Sequence, residues 1–161
     1  DDYVYGSIGR LAYPKNYEFL INSHQALKKI KPGAKLVLIG EGPERVKYEN
    51  LISLYKLENE IILTGEIMEA SKYLKAFDLF VLPSIFEGLS LSLIEAISAG
   101  VPAIASRVGG NEEIVGIENC FQLNDQADFL QLIKNVKLVK TNKEIFALER
   151  MIKGYLEVYK H

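Results

Sequence analysis

Two carboxylates in the segment spanning residues 83–96 stand where a ligand could be held. The segment reads PSIFEGLSLSLIEA and follows a short apolar run. If a helix begins near Ser90, Glu87 and Glu95 are separated by about 12 Å of helical rise, too far for a close acid–base pair. Gly88 allows a tight turn and close approach of the backbone to a ligand. We therefore expect the two carboxylates to hold two hydroxyl-bearing parts of one extended ligand.

The start of the same predicted helix is suited to an anion. The amides from Leu89 through Ser90 to Leu91 would point out of the helix, where its dipole favours a phosphate. Two alternatives stay open on sequence alone. Glu95 fits a capping box opened by Ser92, and Glu87 fits a solvated loop carboxylate.

A second segment, GRLAYPKN at residues 9–16, follows the first apolar run. It is not a G-x-G-x-x-G loop, so a nicotinamide or flavin dinucleotide is not expected. After Gly9, Arg10 could fork onto phosphate oxygens and Lys15 could act as a point charge. Taken alone, the same spacing is typical of solvated surface cations. Glycine-rich turns at 40–44, 64–68 and 108–113 follow or precede further predicted elements in the same way.

The elements that must position these segments alternate along the chain. Strands are predicted at 3–9, 35–40, 61–64, 79–82 and 103–105, with a weaker one at 120–123. Helical spacing is found around 19–30, 46–54, 70–75, 90–99, 111–115, 127–136 and 143–159. The strands are continuously apolar, as in sheets covered on both faces. This alternation predicts one doubly wound, Rossmann-like α/β domain with a parallel sheet, whose ligand lies beyond the carboxyl ends of the strands.

Composition narrows the function further. The chain has 161 residues, a net charge of −2 and one cysteine, Cys120. There is no basic field for nucleic acid, no internal disulfide and no multi-thiolate zinc site. The two histidines, His24 and His161, are far apart in sequence. We expect a cytoplasmic location, and the start at Asp1 without Met suggests a piece of a longer protein.

Together and in this order, the motifs resemble glycosyltransferase family 4, whose members have the GT-B architecture of two Rossmann-like domains. The resemblance runs from about residue 6 to residue 115. Its elements are G-R-L with Lys15 (9–15), G-x-G-P (40–43), the two-glutamate signature with Gly100 and Pro102 (87–102), and V-G-G-x-x-E (108–113). The resemblance implies a sugar transferase that retains anomeric configuration and needs no bound metal.

The resemblance also implies a role for each matching residue. Arg10 and Lys15 would neutralise the donor diphosphate, and Glu87 would hold the sugar; these three form the predicted catalytic set. Glu95 would hold the ribose, and backbone at Ile67 would meet the base. The remaining predicted donor-binding residues line the loops: Gly9, Gly40, Gly88, Leu89, Ser90, Leu91 and Gly110.

Residues 1–161 are thus predicted to be the C-terminal, nucleotide-sugar-binding domain, with an N-terminal acceptor domain missing from this chain. Asn16 and Ser90 stand where many family members have glycine. We expect a UDP-sugar somewhat more than a GDP-sugar, a glycan or lipid-linked acceptor, no cofactor, and no transfer by the isolated domain. Any peripheral membrane contact would be made through the absent domain. The rivals are a GT-B sugar-nucleotide epimerase, a non-catalytic nucleotide-sugar-binding module and a receiver-like signalling domain.

Overall fold

A computed structural model describes residues 2–136 of the chain. Within that range the strands are β1 (Tyr3–Ile8), β2 (Ala34–Ile39), β3 (Ile61–Gly65), β4 (Leu79–Leu82), β5 (Ala103–Ser106) and β6 (Cys120–Phe121). The α-helices are α1 (Tyr17–Lys28), α2 (Arg45–Leu54), α3 (Leu91–Ser98), α4 (Asn111–Val115) and α5 (Gln126–Asn135).

The strands form one parallel sheet in the order β3-β2-β1-β4-β5-β6. β1 lies in the interior of the sheet, and the chain builds outward from it first through β2 and β3, then in the opposite direction through β4 to β6. The strand order therefore reverses between β1 and β4. At such a point the loops leaving the two strands diverge and open a crevice at the carboxyl edge of the sheet. The predicted doubly wound, Rossmann-like fold is confirmed.

Both faces of the sheet are covered, which explains why its strands are continuously apolar. In β4, Leu79 and Val81 pack on the side of α1, α2 and α5, whereas Phe80 and Leu82 pack on the side of α3 and α4. All four side chains are fully buried. Each such side chain contributes about 1.5–3 kcal/mol by leaving water. The burial of β4 therefore holds the start of the following loop, which carries Glu87, in a fixed position.

Three predicted elements differ from the structure or lie outside it. Residues Ala70–Ala76 form 3₁₀ turns rather than an α-helix. Only Leu74 is buried among them, so this segment lacks the apolar face whose packing would stabilise an α-helix. The weak last strand is limited to Cys120–Phe121. The helix predicted at 143–159 lies outside the described residues. No helix in the described range is long and apolar enough to cross a membrane.

Candidate functional site

The loops leaving β1 and β4 bring together two of the predicted catalytic residues. Lys15 Nζ lies 2.5 Å from Glu87 Oε1, and their side chains are only 24% and 12% exposed. The two residues are 72 positions apart in the sequence. They meet because β1 and β4 are neighbours at the reversal of strand order. A partly buried cation and carboxylate therefore face each other in the crevice where this fold class binds ligands.

Two serines that the sequence analysis did not single out orient the Glu87 carboxylate. The buried Ser84 donates from Oγ to Glu87 Oε1 at 2.7 Å. Ser106, at the end of β5, donates in turn to the Ser84 carbonyl oxygen at 2.5 Å. The ends of two adjacent strands thus hold one oxygen of the carboxylate. The available signal was a serine at or just beyond the end of each buried strand.

Asn16 explains how the chain turns from Lys15 into α1. Its backbone is left-handed, with φ 54° and ψ 35°, a conformation that Asn tolerates better than most side chains. Its side-chain amide donates to the carbonyl oxygen of Pro83 at 3.0 Å and to Asn124 Oδ1 at 3.0 Å. Asn therefore replaces the glycine expected here without strain, and it also ties the β1 loop to the β4 loop.

Two glycines permit the loops to pack against each other. A Cβ on Gly109, whose φ is +52°, would lie 1.8 Å from the carbonyl oxygen of Glu87. A Cβ on Gly40, whose φ is +146°, would lie 2.1 Å from the carbonyl oxygen of Gly9. Both distances are far shorter than any contact between non-bonded carbon and oxygen atoms, so these turns require glycine. At Gly88, by contrast, an added Cβ would have no atom within 4 Å.

The N-terminus of α3 is capped by Ser90, whose Oγ accepts from the Leu93 amide at 3.4 Å. The prediction that the helix begins near Ser90 is confirmed. The capping-box alternative opened by Ser92 is wrong, because Ser92 is already the second residue inside the helix. Glu95 lies one turn further on and is exposed, and its side chain makes no hydrogen bond or ion pair with the described residues.

The amides before this helix are available to a ligand. The backbone N–H groups of Gly88, Leu89 and Leu91 donate to no group in the part of the chain that the structure describes. Unpaired amides at a helix N-terminus carry partial positive charge and suit an anion. Gly110 closes the other side of this turn, since a Cβ there would lie 2.9 Å from the Gly88 carbonyl oxygen.

A cavity of about 370 Å³ opens beside the loops after β1, β2 and β3. Its lining includes four residues predicted to bind the donor: Gly9, Arg10, Gly40 and Ile67. Arg10 is exposed and forms no ion pair within residues 2–136. Glu95 and the Lys15–Glu87 pair do not line this cavity. The predicted residues therefore form a cavity and an adjoining ion pair, and no described contact joins Glu95 to either.

Two buried hydroxyls lie behind the β1 loop. Tyr17 is fully buried, and its hydroxyl would be 2.8 Å from a Cβ on Gly9. Burial raises the pKa of Tyr17 well above its ordinary value, and nearby Tyr48 and Glu87 raise that pKa further. Neither this hydroxyl nor that of Ser7 has a hydrogen-bond partner among the described residues. Both escaped the sequence analysis, because hydroxyls inside apolar runs are normally core residues.

Neither a metal nor a catalytic imidazole emerges from the described residues. Residues 2–136 contain no group of three or more His, Cys, Asp or Glu side chains that could hold a metal ion. His24 is fully buried on α1, where its ring nitrogens contact Tyr5 and Glu60. It is a buried packing residue between β1 and the start of β3.

The family of the chain is decided by comparison with known proteins. The family model described as glycosyl transferases group 1 matches residues 1–153. The chain belongs to this family. The resemblance to a glycosyltransferase family is thereby confirmed.

Curated relatives agree with a group 1 glycosyl transferase. An uncharacterized glycosyltransferase of Methanocaldococcus jannaschii is 36% identical over 132 residues, covering 80% of this chain and 32% of the relative. An Escherichia coli relative is named UDP-Gal:alpha-D-GlcNAc-diphosphoundecaprenol alpha-1,3-galactosyltransferase. It is 31% identical over 143 residues, covering 84% of this chain and 37% of its own length. The chain thus spans about a third of the length of the curated relatives it matches.

Solved structures of glycosyltransferases share the fold. A mutant of Staphylococcus aureus TarM, solved with Fondaparinux, alpha-GlcNAc-glycerol and UDP, superposes with a TM-score of 0.83 at 26% identity. That alignment covers 99% of this chain and 36% of TarM. Sucrose-phosphate synthase from Thermosynechococcus elongatus gives a TM-score of 0.84 at 24% identity, covering 99% of this chain and 45% of the synthase.

Proposed function

We propose that this group 1 glycosyl transferase chain is the donor-binding domain of a retaining enzyme that uses a nucleoside diphosphate-sugar, with a UDP-sugar favoured. The Lys15–Glu87 pair in the crevice, beside the unpaired amides that open α3, is the observation that carries the proposal. Two relatives support the donor class, since one is named for UDP-Gal and another was solved with UDP.

The site offers three kinds of group to such a donor. The diphosphate would lie against the amides of Gly88, Leu89 and Leu91, where the helix dipole favours negative charge. Arg10, exposed and without an ion pair among the described residues, would fork onto phosphate oxygens. Lys15 would leave Glu87 and join the diphosphate, where it neutralises charge that develops as the sugar departs.

Release of Lys15 gives Glu87 its own role. Ser84 keeps one carboxylate oxygen in place, so the group stays oriented after its cation moves away. The freed carboxylate would accept hydrogen bonds from sugar hydroxyls, contacts that strengthen as the transferring sugar gains positive charge. Ile67, which lines the 370 Å³ cavity, would supply backbone contacts to the base. Glu95 would hold the ribose.

The length of the relatives supports a second domain that would bind the acceptor. Residues 1–161 would form the C-terminal half of a two-domain enzyme, with the acceptor bound by the other half. The acceptor class we propose is a glycan or lipid-linked glycan, and the proposed location is cytoplasmic. The isolated domain should bind donor without transferring sugar, because orienting donor against acceptor supplies about 7–11 kcal/mol of the barrier reduction.

The test is calorimetric titration of this chain with UDP, GDP and ADP. We expect a Kd of about 10 µM to 1 mM for the preferred nucleotide, weak because half of the cleft is absent. Lys15→Met and Arg10→Met should each weaken binding, whereas Lys56→Met, at the opposite edge of the sheet, should not. No binding of any of the three nucleotides at millimolar concentration would refute donor binding. Transfer assays with the full-length protein test the retaining mechanism.

A further inference from the structure

A second cavity, of about 430 Å³, lies between α1 and the turn leading into α5. It shares no lining residue with the cavity near Arg10. Four of its seven lining residues carry carboxamides: Asn16, Asn22, Asn124 and Gln126. Its volume is within the range of about 300–1,000 Å³ typical of small-molecule sites. We propose that this cavity binds a neutral saccharide at a site separate from the donor crevice.

Three of the four carboxamides are already held in position. Asn16 donates to Asn124 Oδ1 at 3.0 Å, and Gln126 donates to Ser23 Oγ at 3.2 Å. Asn124, like Asn16, sits in a left-handed turn, with φ 60°. Ser23 is itself buried. The orientation of these amide planes is therefore fixed before a ligand arrives, which lowers the entropic cost of binding.

The carboxamide atoms that make no hydrogen bond within the described residues include both donors and acceptors. Asn16 Oδ1 and Gln126 Oε1 accept no hydrogen bond within residues 2–136, and the Asn124 amide nitrogen donates none there. Asn22 is exposed and uses neither its donor nor its acceptor within the same range. A sugar hydroxyl both donates and accepts, so adjacent hydroxyls on one ring match alternating amide oxygens and nitrogens.

Charge selects a neutral ligand over an ionic one. Glu18 is the only ionisable residue lining the cavity, and its Oε2 is paired with Lys47 at 2.6 Å. An anionic ligand would meet no cation in this lining, and a cationic ligand would have to compete with Lys47. Phe19 contributes apolar surface to the lining. This combination fits the polar hydroxyls and apolar ring faces of an uncharged saccharide.

Asn16 links this site to the donor crevice. It follows Lys15 directly, and its amide donates to the carbonyl oxygen of Pro83, next to the Ser84 that orients Glu87. A saccharide that engages Asn16 would therefore alter the loop carrying Lys15. Because coupling between binding sites is reciprocal, nucleotide and saccharide should change each other's affinity by the same factor.

The experiment is an NMR titration of the 161-residue chain, labelled with ¹⁵N, with maltotriose and separately with N,N′-diacetylchitobiose. We expect shifts at the side-chain amides of Asn22, Asn124 and Gln126, with a Kd on the order of 1 mM for the better saccharide. Asn22→Ala should weaken it roughly fivefold, the effect of one neutral hydrogen bond. Asn50→Ala, an exposed amide change on α2, should leave it unchanged.

Three results would overturn the proposal: no shift with either saccharide at tens of millimolar, shifts confined to the donor loops around Gly9 and Gly88, or equal affinity for anionic trigalacturonate. Asn22 is exposed, so its variant should fold, and the spectrum itself verifies this. The saccharide site itself does not rest on the proposed function, whereas its coupling to the nucleotide does. A parallel UDP titration separates the two, since either ligand can bind while the other fails.

Discussion

The ion pair between Lys15 and Glu87 predicts that removing a carboxylate will tighten nucleotide binding. In the described structure Glu87 pairs with the cation that, on the proposed function, the diphosphate would engage. Glu87→Gln keeps an acceptor for Ser84 but no longer competes for Lys15. UDP should therefore bind more tightly to this variant, although transfer by the full-length enzyme should fall because the sugar loses its carboxylate.

The magnitude follows from how deeply the pair is buried. Exposed ion pairs contribute about 0.2–1 kcal/mol, and breaking a buried one costs about 3–5 kcal/mol. With side-chain exposures of 24% and 12%, this pair lies between those cases. Taking about 1–2 kcal/mol, UDP affinity should rise roughly 5- to 30-fold. Intact UDP-sugar should gain less, since it loses its contact with Glu87.

The assay is calorimetry with UDP at low salt on a double-mutant cycle. Lys15→Met should weaken binding, and adding Glu87→Gln to Lys15→Met should then give no further gain, because the two changes act through one contact. Glu58→Gln, at the opposite edge of the sheet, controls for net charge. Weaker UDP binding to Glu87→Gln, or a gain that persists without Lys15, would refute the reasoning.

Three further predictions concern the cap, the loops and a buried imidazole. Ser90→Ala should lower the free energy of unfolding by about 1 kcal/mol in urea titrations, whereas Glu95→Gln should leave it unchanged and weaken UDP binding. Gly109→Ala should destabilise the fold by more than about 2 kcal/mol, because the added Cβ meets the Glu87 carbonyl oxygen. Gly88→Ala should keep the wild-type melting temperature but bind nucleotide more weakly. Burial lowers the pKa of His24, so as the pH falls this imidazole is protonated in the unfolded chain before it is protonated in the folded one. The free energy of unfolding should therefore be highest above about pH 6.5 and should decline toward pH 5. In His24→Gln the free energy of unfolding should depend less steeply on pH over the same range.

The fold could be predicted because its signals are local and repeated. Apolar runs such as Leu36–Ile39 require cover on both faces, and their alternation with helical spacing leaves few alternatives. The Lys15–Glu87 pair could be predicted only as two separate groups near one ligand. Their direct contact depends on β1 and β4 being neighbours, a feature of strand order that the alternation of elements does not specify.

The finer parts of the site escaped prediction for a related reason. Ser84 and Ser106 act through hydrogen bonds between the ends of adjacent strands, so neither has a partner close in sequence. The capping-box motif was misleading because Ser90 and Ser92 are both plausible caps, and only the backbone angles of Ser90, φ −85° and ψ 105°, identify the helix start. The 3₁₀ turns at Ala70–Ala76 likewise depend on how little of that segment is buried.

The position of β1 inside the sheet has a consequence for biosynthesis. One edge of β1 pairs with β2, whose first residue is Ala34, but the other edge pairs with β4 and stays unpaired until β4 has been synthesised. Val4 and Asp78, which are hydrogen-bonded across β1 and the start of β4, are separated by 74 residues. At about 5–20 residues per second, the ribosome leaves that edge open for roughly 4–15 s. An unpaired parallel strand edge is a template for association with other chains. Nascent chains stalled before residue 79 should therefore be the most aggregation-prone intermediates of this domain, and chaperones would be needed chiefly in that interval.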